Sequence, residues 1–160
     1  MKKLDIICVD DHREVLAALR KDLEVFENWF DIDECESASE AYELMEELYK
    51  ENKIPSIIIC DHVMPGQNGI DFLVQINGEK RFNGVKKVVL TGLATHQDTI
   101  IAINKAGIDR YVEKPWYSDE LQNMVKTLAT EFILEKEIEY TDFHEILDKE
   151  TLFDALSKKY

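Results

Sequence analysis

The three cysteines, Cys8, Cys35 and Cys60, are odd in number, far apart and form no CxxC pair, which argues against both a zinc framework and a disulfide scaffold. Cys8 and Cys60 sit inside apolar runs, where a free cysteine behaves as a small core hydrophobe. Long apolar runs are missing as well, since none approaches the roughly 20 residues that cross a bilayer. The opening "MKKLDIICVDD" has two lysines, but its apolar run is shorter than the about 7–15 residues of a secretory signal. It reads as a first strand, and the expected location is the cytoplasm, with no membrane partner. Positive charge is scarce: 19 Lys and Arg face 33 Asp and Glu, for a formal net charge of −14. Without a basic stripe to release counterions, nucleic-acid binding by this chain is disfavoured. The basic doublet Lys86-Lys87 is expected at a solvated strand edge.

The chain has 160 residues, 45% of them hydrophobic and 32% charged, which suits one folded domain with a sizeable core. Apolar runs of strand length alternate with helical periods. Strands are expected at 4–9, 30–37, 54–60, 85–90 and 108–112. Between them, Val15, Leu16, Leu19, Leu23 and Phe26 recur at three- and four-residue steps, the period of a helix. A second helix follows Ser37 or Ser39 as cap, and "IDFLVQIN" forms a short third that ends at Gly78. A fourth is capped by Thr95 and stopped by Gly107, and a long fifth opens at Ser118 with acids in its first turn. Five βα units with non-alternating strands imply a doubly wound parallel sheet with helices on both faces.

In such sheets function gathers beyond the C-terminal strand ends, at a topological switch point. Strand one ends in Asp10-Asp11, strand three in Asp61 and strand four in Thr91, and Lys114-Pro115 follows strand five. Each has an ordinary explanation: a paired Asp as helix cap (Asp11 on the first helix), Lys-Pro as loop, Thr as an incidental strand end. Their joint placement on one rim points to chemistry. Converging carboxylates repel unless something neutralises them. A hard cation taking oxygen ligands does so, and Mg²⁺ or Mn²⁺ suits this rim better than zinc. Acids, metal, hydroxyl and ammonium are the parts of a phosphoryl-transfer site, and a carboxylate can itself be the nucleophile.

The order "DD", "CDHVMPGQNG", "LTG" and "YVEKPW" resembles the receiver domain of two-component response regulators, over roughly residues 3 to 130. The resemblance implies a flavodoxin-like strand order 2-1-3-4-5. It implies Asp61 as phosphoacceptor, supplied by a histidine kinase or phosphotransfer protein. It implies Asp11 and Asp61 as Mg²⁺ ligands, Asp10 acting largely through water, and the Val63 carbonyl completing the set. Thr91 and Lys114 would contact the phosphoryl oxygens, and Lys114-Pro115 would be a cis peptide. Pro65, Gly66 and Gly69 match the loop after the phosphoacceptor, and Tyr111 matches the aromatic that turns inward on activation. Such a module is a switch that takes part in its own phosphorylation and dephosphorylation, not an enzyme.

"AINKAGIDRYVEKPW" is similar to a receiver subgroup found ahead of several different outputs, so the downstream effect stays open. Val63 and Leu93, two past Asp61 and Thr91, offer no group to orient a hydrolytic water, so the acyl phosphate is expected to hydrolyse slowly. His62 is expected to be an exposed loop residue. A haloacid dehalogenase-type phosphohydrolase would need a DxD pattern, but "VDDHREV" has no acid at residue 12. The other rival is a pseudo-receiver acting only as a protein-interaction module.

The receiver is expected to span 1–130, leaving an acidic helical extension at 131–160, too short for an effector domain. Phe132, Ile133, Leu134, Ile138, Phe143, Ile146, Leu147, Leu152, Phe153 and Leu156 make it too apolar for a free tail. Three fates are open: the fifth helix continuing as a coiled-coil-like linker, a break near Tyr140–Asp142 into short helices on the receiver's own surface, or a segment for homodimerisation or signal passing toward an output domain or downstream protein.

Overall fold

The computed structural model describes residues 2–92 and 96–158. Strands β1 (Leu4–Val9), β2 (Phe30–Cys35), β3 (Ile57–Asp61), β4 (Lys86–Thr91) and β5 (Arg110–Glu113) alternate with helices α1 (Arg13–Leu23), α2 (Ala38–Lys50), α3 (Gly69–Asn77), α4 (Gln97–Ala106) and α5 (Ser118–Glu135). A 3-10 segment at Thr141–Ile146 and a last helix α6 (Lys149–Ser157) follow. The five strands form one parallel sheet in the order β2-β1-β3-β4-β5. This is the doubly wound, flavodoxin-like arrangement expected from the sequence.

Strand pleating sends successive side chains to opposite faces. Ile6, Cys8, Ile57, Ile59, Val88 and Leu90 pack under α1 and α5, and Ile7, Val9, Ile58, Cys60 and Val89 pack under α2, α3 and α4. With both faces covered, β1, β3 and β4 run apolar through Ile6–Val9, Ile57–Cys60 and Val88–Leu90. All three cysteines are free and buried. Ser37 caps α2 by accepting from the Glu40 N–H at 3.1 Å, as its position suggests.

Several local expectations are corrected. Lys86 and Lys87 are not a solvated edge: β4 is an interior strand and each lysine is only 7% exposed. The pleat drives them to opposite faces, where Lys86 pairs with Glu135 at 2.9 Å and Lys87 with Asp109 at 3.8 Å. Burial pulls the Lys87 ammonium below its ordinary pKa. Asp11 does not cap α1, whose cap position is His12. The fifth helix does open at Ser118 with Asp119 and Glu120 in its first turn, and the Ser118 hydroxyl donates to Asp22 Oδ1 at 2.7 Å. Strand β5 lies at Arg110–Glu113, two residues later at its start than the expected 108. The expected cap of α4, Thr95, lies outside the described residues.

Beyond α5 the chain does not continue as one helix. Glu137 adopts a left-handed conformation (φ 54°) and Ile138 N–H closes back onto Ile133 C=O at 2.9 Å, a Schellman-type stop. The chain then folds back, burying Phe143, Ile146 and Leu147 in the same cluster as Phe26, Phe30 and Ile133.

Candidate functional site

Strands β1 and β3 flank the point where the chain reverses its direction of winding, so the crevice of the fold opens between their C-terminal ends. Asp10 follows β1, with its N–H donating to Cys35 C=O at 3.0 Å and its side chain fully buried. Asp61 is the last residue of β3, Thr91 the last of β4, and Lys114 directly follows β5. Lys114 Nζ lies 2.6 Å from Asp61 Oδ1 and 3.3 Å from Asp10 Oδ2. The ammonium thereby bridges carboxylates carried by two adjacent strands.

Burial pushes the Asp61 carboxyl above the ordinary range and Lys114 pulls it back, while Asp10 and Asp11 push it up again. For Lys114, burial alone would lower the pKa, but its contacts with Asp61 and Asp10 outweigh burial and raise it. Asp10, Asp11, His12 and Asp61 each bring one ligand atom within 4.8 Å of the others. Among the described residues Asp11 Oδ1 is buried without a hydrogen-bond partner, with the His12 ring 3.3 Å away, and a cation or water would satisfy it. Three carboxylates and one imidazole form an oxygen-dominated set, which fits a hard divalent cation such as Mg²⁺ or Mn²⁺.

The loop after β3 closes this side. Gly69 begins α3 with its N–H on His62 C=O at 2.8 Å, and a Cβ there would sit 1.9 Å from the Asp61 carbonyl oxygen. Only glycine allows that approach. Gly66 has φ +81°, a conformation that also favours glycine. Pro65 and Val63 are exposed, Val63 at 65%. Thr91 is buried, and its carbonyl accepts from the Lys114 N–H at 3.0 Å. The Lys114-Pro115 peptide is cis. Tyr111 is 52% exposed, its ring turned outward. Leu93 lies outside the described residues.

Three participants were not foreseen from the sequence. His12, directly after the Asp pair, donates its N–H to Asp10 Oδ1 at 2.8 Å, and its ring is 3.2 Å from Asp10 and 3.3 Å from Asp11. The hydrogen bond to Asp10 and then the charge of Asp11 hold its pKa above the ordinary value. His62 is not a free loop residue: it is half-buried and its Nδ1 lies 3.1 Å from Thr91 Oγ1. Asp22 on α1 accepts from Trp116 Nε1 and from Ser118 Oγ, both at 2.7 Å, and so clamps the loop that follows Lys114. The "DDH" triplet carried a signal for His12, whereas His62 and Asp22 are recognisable only once strands and helices are placed side by side.

Comparisons with known proteins identify the family. The family model described as response regulator receiver domain matches residues 6–126. The hydrogenase transcriptional regulatory protein HoxA of Cupriavidus necator is 32% identical over 125 residues, covering 78% of this chain and 24% of that protein. Response regulator Rre1 of Synechocystis is 29% identical over 78% of this chain and 51% of its own length. The chain therefore spans about a quarter to a half of these relatives. Among solved structures, a CheY-like receiver domain protein from Methanospirillum hungatei superposes with a TM-score of 0.71 at 24% identity, covering 84% of this chain and 99% of that one. The receiver domain of an HD domain-containing protein from Pseudomonas fluorescens does so with 0.72 at 22% identity, over 87% and 96%. Both share the fold. The fold, the acidic rim and the family match agree, and the chain belongs to the response regulator receiver domain family.

Proposed function

We propose that Asp61 is the phosphoacceptor of a two-component relay and that its phosphorylation switches the surface around Thr91 and Tyr111. The observation that carries this reading is Lys114 Nζ held 2.6 Å from Asp61 Oδ1 and 3.3 Å from Asp10. A carboxylate so paired is the nucleophile and keeps a cation in place for the oxygens it acquires. An Asp61 oxygen attacks the phosphorus of a phosphohistidine. The P–N bond breaks with its electron pair on the histidine nitrogen, which takes up a proton, and an acyl phosphate is left on Asp61. Lys114 then passes from the carboxylate to a phosphoryl oxygen.

Asp11 and Asp61, with the Val63 carbonyl and Asp10 acting through water, would hold the divalent cation, Mg²⁺ or Mn²⁺. When bound it neutralises charge on the phosphoryl oxygens. Thr91 supplies a hydroxyl to the same oxygens. The register pairs Val89 with Tyr111 and Thr91 with Glu113, so Thr91 and Tyr111 lie on one face of the sheet. Space that the threonine vacates is space the tyrosine can enter. The donor is a histidine kinase or phosphotransfer protein in the cytoplasm, and the outcome is passed to a downstream protein or an output domain.

Incubation with acetyl phosphate and Mg²⁺ is expected to give a single phosphoryl adduct by mass spectrometry, absent in Asp61→Asn. No adduct from acetyl phosphate or any phosphohistidine donor would defeat the reading. With an exposed apolar Val63 beside the acceptor, the adduct is expected to persist for minutes or longer. Loss within seconds in the Mg²⁺-saturated protein would contradict that lifetime.

A further inference from the structure

The contact between His62 and Thr91 links two strand ends whose backbones are already pinned. His62 N–H donates to Leu90 C=O at 2.9 Å, and its own carbonyl accepts from Gly69 at 2.8 Å. Thr91 C=O accepts from Lys114. Neither residue can move much without breaking the sheet, so the 3.1 Å separation of His62 Nδ1 and Thr91 Oγ1 is governed by side-chain rotamers. The register pairs Asp61 with Leu90, and Leu90 packs in the cluster under α1 and α5. Alternation then places His62 and Thr91 together on the opposite face, one step further along.

A threonine hydroxyl carries one proton, and phosphoryl oxygens act as acceptors. With the single imidazole proton on Nε2, Nδ1 is the acceptor, and a hydroxyl donating to it has no proton left for a phosphoryl group. We propose that His62 is a positioning residue that holds the Thr91 hydroxyl in the resting state, and that activation must break this bond. The inference rests on Asp61 phosphorylation as the input. His62 thereby sets how far a given degree of phosphorylation moves the switch. An interaction made in only one of two states biases their ratio by its own strength, which for one hydrogen bond is roughly two- to tenfold.

The test is titration of the full chain with beryllofluoride, a mimic of the acyl phosphate, at saturating Mg²⁺. Tryptophan fluorescence reports binding, since Trp116 lies two residues past Lys114. His62→Phe keeps a ring and loses the acceptor, and is expected to tighten apparent beryllofluoride binding roughly two- to tenfold. His62→Ala is expected to do the same and serves if the Phe variant folds poorly. His62→Asn places an oxygen near the Nδ1 position and is expected to stay within about twofold of the parent, less than one such bond is worth. A purely structural role would leave one further signal unmoved: in His62→Phe without beryllofluoride, the Thr91 methyl resonance should shift toward its bound position. Unchanged or weaker binding in both Phe and Ala variants overturns the inference while leaving Asp61 as the acceptor. A parent chain that takes neither beryllofluoride nor a phosphoryl group overturns both.

Discussion

Asp5 is a carboxyl group at the end of β1 away from the acidic rim. It lies near the start of β1, 4% exposed, with Asp33 of the neighbouring strand nearby. Burial, and then the charge of Asp33, push its pKa up from 3.8 to about 6. Among the described residues Asp33 Oδ2 is itself buried without a hydrogen-bond partner, so a proton on Asp5 gives the pair a donor and removes their repulsion. The folded chain thus binds this proton more tightly than the unfolded chain. Its contribution to stability is complete below pH 3.8 and is lost as pH rises through about 6. Asp5→Asn, which carries no charge at any pH, is expected to be more stable than the parent by about 1–3 kcal/mol above pH 7. The gap should close near pH 4. Thermal melts of both proteins at several pH values measure it, and a gap independent of pH would refute the assignment.

At the scale of elements, the junction of β3 and α3 depends on one missing methyl group. A Cβ on Gly69 would overlap the carbonyl of Asp61 at 1.9 Å, and that backbone cannot yield because it is part of an interior strand. Gly69→Ala is expected to cost about 3 kcal/mol or more in urea unfolding and to slow adduct formation by displacing Asp61. Gly92→Ala, with nothing among the described residues within 4 Å of the added atom, should change stability by less than about 0.5 kcal/mol. Equal effects at both positions would show that the close approach does not matter.

The strands and the rim were legible because β1, β3 and β4 are buried on both faces and end in polar residues, a pattern that depends only on local sequence. Lys86 and Lys87 were misread because a strand's interior position follows from its neighbours, and Glu135 and Asp109 lie far along the chain. The Asp22 clamp was invisible for the same reason, with Trp116 94 positions further along the chain than Asp22. The end of α5 carries no glycine to announce it: Glu137 takes the left-handed position itself, held by Ile138 folding onto Ile133. His62 was read as exposed because nothing in "CDHVM" records that β4 brings Thr91 alongside.

For the molecule as a whole, the question is whether residues after α5 are an appendage or part of the core. The family match ends at residue 126, yet Phe143 is 2% exposed and packs 6.4 Å from Phe30, centroid to centroid. Trp29 Nε1 donates to Asp142 C=O at 3.0 Å, and Asp148 N–H to Thr130 Oγ1 at 2.8 Å. These contacts make the returning segment a cover for the α1 and α5 side of the sheet. Phe143→Ala is therefore expected to lose about 3–5 kcal/mol in urea unfolding, a large share of the about 5–15 kcal/mol that holds a domain together. Trp29 fluorescence should report the same transition as far-ultraviolet circular dichroism, because the cover and the sheet unfold as one unit. Phe153 on α6 is 70% exposed, and Phe153→Ala should fall within about 0.5 kcal/mol of the parent. An appendage would leave both substitutions nearly neutral and let Trp29 report an earlier, separate step. A large loss confined to Phe143 is the signature of a shared core.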